Sequence, residues 1–151
     1  METRAATPDD APSLARMLDD FNREFGEPTP GIAVLEARVR TFIEGGVKDF
    51  LLVGGGPDGF VQVSFNLSVW TPGPVGLIEE LYVRPDLRGR GRGRTLMNAV
   101  FELAAQRGAS GIEVVTGEDD TDARRLYEQF GFRNEIEGEE NSRSLFYERE
   151  L

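Results

Sequence analysis

The 151-residue chain predicts an α/β (α+β) fold: one mixed, mostly antiparallel sheet of about seven strands, flanked by helices, in a single domain over residues 1–151. Three observations carry this expectation. Helix-spaced and strand-like apolar stretches follow one another in the order βααβββαβαββ, an order that one covered sheet accommodates. The length suits one core and is short for two, and a chain of this size buries about 70% of its unfolded surface. No internal repeat or low-complexity linker divides it, and 39% apolar residues with ten Phe supply the core.

The elements follow in order. Thr3 to Ala6 is a short first strand. Thr7-Pro8-Asp9-Asp10 then opens a helix, with a capping hydroxyl, Pro at the first position and acids in the first turn. Ala11, Leu14, Met17, Leu18, Phe21 and Phe25 recur at spacings of three and four, so this helix runs to about Phe25. Gly26-Glu27-Pro28-Thr29-Pro30-Gly31 stops it. Leu35, Val39, Phe42 and Ile43 mark a second helix ending at Gly45-Gly46. Asp49 to Val53 and Gly59 to Val69 are strands joined by a Gly-rich hairpin loop, Gly54 to Gly59. After the break Trp70 to Pro74, Val75 to Val83 is a further strand, stopped by Pro85. Leu96, Met97, Val100, Phe101, Leu103 and Ala104 make an amphipathic helix closed by Gly108. Ile112 to Thr116 is a strand and Asp119 to Phe130 a last helix. Phe132 to Ile136 and Ser144 to Arg149 form a terminal strand pair.

Composition excludes much chemistry. With no Cys and no His there are no disulfides, thiolate nucleophiles, imidazole bases, Ser-His-Asp triads or Cys/His zinc sites. Any acid or base is Asp, Glu, Tyr, the single Lys or a terminus, and no metal is expected. The N-terminal METRAATPDDAPS lacks the basic and apolar regions of a signal peptide, and no 18-residue apolar run follows, so a soluble cytoplasmic protein off the membrane is expected. The net charge of −10 argues against nucleic acid, which needs a positive face. Five of the 17 basic residues nevertheless lie between Arg84 and Arg94; the remainder, 12 basic and 26 acidic, balances at −14. A phosphorylated cofactor on the basic segment and a cationic second ligand elsewhere would suit that asymmetry, and so would acidity that serves only solubility.

The informative stretch runs from Glu79-Glu80-Leu81-Tyr82-Val83 through Arg88-Gly89-Arg90-Gly91-Arg92-Gly93-Arg94 into a helix. Backbone N–H groups in a helix's first turn have no partner and sit at the positive dipole end, so glycines there let the main chain close on a pyrophosphate. A P-loop needs Gly-Lys-Ser/Thr, which is missing. A G-x-G-x-x-G fingerprint needs its third Gly at position 94 or 96, which are Arg and Leu. What fits is R-x-x-G-x-G, met by Arg88, Gly91 and Gly93.

Here the sequence resembles the GNAT-type N-acetyltransferases. Ala123-Arg124-Arg125-Leu126-Tyr127-Glu128-Gln129-Phe130-Gly131-Phe132 is similar to that family's A-x-x-L-Y-x-x-x-G-F signature, and residue-level matching covers about residues 75 to 133. The resemblance implies acetyl-CoA as donor. Its pyrophosphate would be bound by backbone from Arg88 to Arg94, and its pantetheine arm would pair with Leu81, Tyr82 and Val83 as an added strand. The family often has Asn three residues before the motif Ala, reaching the pantetheine. This chain has Asp120 there, a charged departure from the pattern.

The chemistry asks for a base and an acid. An amine resembling Lys has a pKa of about 10.4, so few molecules are neutral at pH 7 and a proton acceptor raises the rate. The oxyanion formed on attack is met by a preorganised backbone N–H, for which the strand ending at Val83 is placed. By resemblance Tyr127 is the acid that reprotonates the thiolate; packing beside Leu126 and Phe130 is its bland alternative. Glu79, then Glu80, is the expected base, with residues 79, 81 and 83 on one strand face and 80 and 82 on the other. A solvent-facing acidic pair is the alternative. Glu24, Glu27 and the acids of the 134–141 loop flank the acceptor by resemblance, which suggests a polyamine, aminoglycoside or lysine-like amine. Direct transfer through a ternary complex is the leading expectation. A non-catalytic acyl-CoA-binding module and a protein lysine or N-terminal acetyltransferase are the alternatives. Dimers are common in the family, so a homodimer belongs among the implied partners.

Overall fold

A computed structural model describes residues 1–135 and 137–151. They fall into two compact units, Met1–Val114 and Val115–Leu151.

The first unit contains β1 (Thr3–Ala5), α1 (Ala11–Glu24), α2 (Ile32–Glu44), β2 (Asp49–Val53), β3 (Gly59–Asn66), β4 (Val75–Val83), α3 (Arg92–Gln106) and β5 (Gly111–Val114). The sheet order is β1-β2-β3-β4-β5. Every pairing is antiparallel except β4 with β5, which is parallel and spanned by α3. The segment expected to open the first helix forms a 3-10 turn, Pro8–Asp10, ahead of α1, and the Thr7 N–H donates to Asp10 Oδ2 at 2.8 Å. Arg4 adds two bonds to the same carboxylate at 2.7 and 2.8 Å. These Arg4 bonds, ahead of the Thr7 contacts, hold the Asp10 carboxyl down at about 2.

Strand alternation sorts the core into two faces. Phe50 and Leu52 of β2, Phe60 of β3 and Tyr82 of β4 pack with Ala11, Leu14 and Met17 of α1 and Val39 of α2. The alternating residues Leu51, Val53 and Val61 face the other side. There α3, in contact with β2, β3 and β4, supplies buried Leu96, Met97 and Val100. Phe60, Leu14 and Met17 are fully enclosed, and each contributes about 1.5–3 kcal/mol of transfer free energy.

In the second unit α4 spans Thr121–Gln129. Its C-terminus closes as the glycine pattern predicts: Gly131 has φ +85°, and the Phe132 N–H returns to the Tyr127 carbonyl at 3.1 Å.

Two expectations need correction. Five strands are present among the described residues, not about seven. Of the terminal pair, Phe132–Ile136 and Ser144–Arg149, only an isolated antiparallel bridge between Glu135 and Arg143 forms, and Ile136 lies outside the described residues. Glu135, Glu137, Glu139 and Glu140 crowd like charges into the connection, while Leu145, Phe146 and Tyr147 are exposed. A two-stranded ribbon without a buried face has little to hold it. Similarly, β3 stops at Asn66, the partner of Val75, because Leu67 and Val69 beyond it are more than 90% exposed. Among the described residues no helix is long and apolar enough to cross a membrane.

Candidate active site

The site is built on the second half of β4. The Arg84 N–H donates to the Asp58 carbonyl at 2.9 Å, continuing the β3–β4 register, in which Phe60 opposes Tyr82. Antiparallel pairs alternate between hydrogen-bonded and non-bonded. The N–H and C=O of Leu81 and Val83 therefore turn away from β3, toward the side where β5 would lie. Yet β5 pairs only with Val75–Ile78. From Glu79 to Val83 the outer edge of β4 meets no strand among the described residues. That edge can accept an extended chain.

The turn after β4 runs through a second 3-10 turn, Pro85–Leu87. It then passes Gly89 (φ +72°) and Gly91 (φ +83°, ψ 0°), both left-handed, into α3. A Cβ at either position would meet nothing within 4 Å, so these glycines are required by conformation rather than by crowding. Gly91 is the N-cap and has no side chain to cap the first turn. The helix thus presents first-turn N–H groups and its positive dipole end, the elements of an anion site.

The arginine segment is largely tied into the fold. Arg88 pairs with Glu24 at 2.5 and 2.7 Å and donates Nε to the Val83 carbonyl at 2.8 Å. Arg92 Nε reaches Asp58 at 2.7 Å, and Arg84 Nε reaches the Pro57 carbonyl at 2.9 Å. Arg90, between the two left-handed glycines, is exposed.

The two expected base candidates differ sharply. Gln62 opposes Glu80 and Val63 opposes Ile78, so Glu79 is an extra residue, a β-bulge in β4. The bulge breaks the expected alternation of faces. Glu79 reaches Gln62 Nε2 at 2.8 Å and the Lys48 ammonium at 2.5 and 2.6 Å. Lys48 in turn lies 5.6 Å from the centroid of the Phe42 ring on α2. Glu79 is thereby committed to an ion pair with the only lysine. Glu80 is half-buried, and burial, reinforced by the neighbouring Glu79 charge, pushes its carboxyl above the ordinary range. The Tyr82 phenol is also raised, first by burial and then by the charges of Asp20 and Glu24, which Arg88 and Arg84 partly oppose.

Residues not singled out from sequence hold the α1–α2 loop. Buried Asp19 accepts from Thr29 Oγ1 at 2.6 Å and Arg23 Nε at 2.7 Å, and these bonds, Thr29 first, hold its carboxyl below the ordinary range. Asn22 Nδ2 donates to the Pro28 carbonyl at 2.9 Å. Arg23 four residues after Asp19 was the available signal; Lys48 stood out only as the single lysine, and nothing pointed to Thr29, Gln62 or Asp58. Glu24 lies on Arg88, while Glu27 is exposed in the loop.

In the second unit, Asp120 is the N-cap of α4: its Oδ1 accepts from the Ala123 N–H at 3.2 Å. Tyr127 is buried on α4, its ring 5.8 Å from that of Phe132.

A strand edge that meets no strand among the described residues thus leads into a helix N-terminus with no side-chain cap. Comparison with known proteins gives the class. The family model for the acetyltransferase (GNAT) family matches residues 14–132. The crystal structure of an acetyltransferase-like protein of Arthrobacter sp. FB24 is 44% identical, covers 100% of this chain and 96% of that one, and superposes with a TM-score of 0.92. An uncharacterized N-acetyltransferase of Methanocaldococcus jannaschii is 38% identical over 81 residues, 53% of this chain and 36% of that protein, so the match spans about a third of that relative's length. A thialysine N-epsilon-acetyltransferase of Sus scrofa is 27% identical over 148 residues, 90% of this chain and 86% of that one. The chain belongs to the GNAT family and is an acetyl-CoA-dependent N-acetyltransferase.

Proposed function

We propose that the enzyme, a single catalytic domain over residues 1–151, acetylates the primary amine of a small cationic acceptor by direct attack within a ternary complex. The observation that carries this reading is the edge of β4 that meets no strand among the described residues and leads to the N-terminus of α3, which has no side-chain cap. Leu81 and Val83 offer that edge to the pantetheine arm of acetyl-CoA, the Val83 N–H facing the side where an oxyanion would form. Main chain from Gly89 to Arg94 receives the pyrophosphate. Asp120, the pantetheine contact that the resemblance implies, has its carboxylate engaged in capping α4.

Of the two adjacent carboxylates, Glu80 suits the base. Glu79 is neutralised by Lys48, whereas Glu80 is desolvated and its raised affinity for a proton moves it toward the working pH. Tyr127 serves as the acid that returns a proton to the departing thiolate. A cationic acceptor is supported by the −10 net charge, by exposed Asp20 and Glu27 around the end of α1, and by a relative that acts on thialysine.

Two measurements test this. Coenzyme A at 100 times its Kd stabilises by about 2.7 kcal/mol, which raises Tm by about 5–11 °C for a chain of this size; free adenosine gives far less. Thiol release is then followed across polyamines, aminoglycosides, lysine analogues and an unstructured lysine peptide. Turnover with the peptide alone would overturn the small-acceptor reading, and no melting shift with coenzyme A would overturn the donor site.

A further inference from the structure

We propose that Glu24 is a positioning residue for the donor: the last carboxylate of α1 sets the phosphate-binding turn through Arg88. This rests on the acetyl-CoA site described above. The Arg88 guanidinium uses Nη1 and Nη2 on the two oxygens of Glu24, at 2.5 and 2.7 Å, and Nε on the Val83 carbonyl at 2.8 Å. Its central carbon lies 5.5 Å from the centroid of the Tyr82 ring. One side chain thus joins the end of α1, the end of β4 and the head of the turn that contains Gly89 and Gly91.

The geometry decides what Glu24 does. Two parallel charge-assisted bonds fix the plane of a guanidinium far better than a single contact. They also hold the Glu24 carboxyl below the ordinary range, so it stays ionised at working pH. With Arg88 held, the Val83 carbonyl at the free edge is oriented, and the chain leaves β4 at a set angle toward Gly89. Both oxygens of Glu24 are engaged on the donor side, although its place in the chain, one residue before the α1–α2 loop, suggests the acceptor side. Removal of the Glu24 charge should therefore be felt by the donor.

The test compares wild type with Glu24→Gln, Glu24→Asp, Arg88→Ala and the Glu24→Gln/Arg88→Ala double variant. Coenzyme A affinity is measured by calorimetry, and KM for donor and acceptor by thiol release. Glu24→Gln is expected to weaken coenzyme A binding and raise donor KM about five- to twentyfold, less than the loss of a direct charge-assisted bond because Glu24 acts through Arg88, while acceptor KM stays within about twofold. Glu24→Asp keeps the charge and recovers part of the loss. The double variant is no worse than Arg88→Ala alone, because the two residues act as one unit.

A rise in acceptor KM with donor constants unchanged would assign Glu24 to the acceptor and overturn the proposal, as would additive losses in the double variant or unchanged coenzyme A affinity in Glu24→Gln. A Glu24→Gln variant that melts well below wild type is assayed at a temperature at which it is folded, where an unchanged donor KM also overturns the proposal. Wild-type protein that gives no heat with coenzyme A would overturn the donor site itself, a distinct result from heat that is equal in wild type and variants.

Discussion

Replacing Glu80 and Glu79 by glutamine, one at a time, separates a proton acceptor from a structural anion. Among the described residues Glu80 has no ion pair such as Glu79 has, and burial followed by the Glu79 charge raises its carboxyl above the ordinary 4.5. A general base contributes about 10²–10⁴ in rate. One working through an ordered water belongs at the low end, so Glu80→Gln should lower kcat/KM for the amine about a hundredfold with little change in donor KM. Stability should move the other way. A carboxyl with a raised folded pKa binds its proton more tightly in the folded state, so it opposes folding as pH rises from 4.5 through the raised value. Glu80→Gln therefore raises Tm at pH 7 and leaves it unchanged below pH 4.

Glu79→Gln reverses the pattern. It leaves the half-buried Lys48 facing a neutral amide, which costs about 1–2 kcal/mol and lowers Tm by about 2–8 °C, while activity falls only severalfold. The assay is thiol release at saturating acetyl-CoA with varied amine, alongside melting curves at pH 4 and pH 7. Equal, small losses in both variants would falsify the assignment of a base to this pair. A larger activity loss in Glu79→Gln than in Glu80→Gln would return the role to Glu79.

Three further outcomes are expected. Tyr127→Phe lowers kcat at least about tenfold with donor KM nearly unchanged, measured by steady-state kinetics; unchanged turnover removes Tyr127 from the mechanism. Gly91→Ala forces a side chain into φ +83° at about 1–2 kcal/mol, read by calorimetry as coenzyme A binding weakened about five- to thirtyfold. Asp10, held at about 2 by Arg4, contributes stability that is complete above the ordinary 3.8 and lost as pH falls through about 2. An acid titration should accordingly show Asp10→Asn destabilised at pH 5 and converging with wild type near pH 2.

The backbone of the proposed donor turn was legible in the sequence because its form depends on glycine. A bare helix start and left-handed turns demand glycine at particular positions, and Gly89 and Gly91 stand where the φ values require them. Val75–Val83 was readable to the residue because its apolar pattern is bounded by Pro74 and Pro85. The terminal strands misled for a related reason. Leu145, Phe146 and Tyr147 have strand-forming side chains, but propensity describes a fit to a half-buried pleated surface, and these three are exposed.

The carboxylate pair shows where pattern runs out. Strict alternation puts Glu79 and Glu80 on opposite faces, and a one-residue bulge undoes that with no local mark in the sequence. What sets them apart in the structure is a lysine 31 positions before Glu79 and a glutamine 17 positions before it. The same holds for the arginines, which read as a single patch for polyanions. Arg88 is claimed by Glu24, 64 positions away, and Arg92 by Asp58, 34 positions away. With these pairs formed, the proposed donor turn would attract phosphate less through side-chain charge than through oriented N–H groups. Its affinity for coenzyme A should consequently fall less steeply with salt than a five-arginine patch would require.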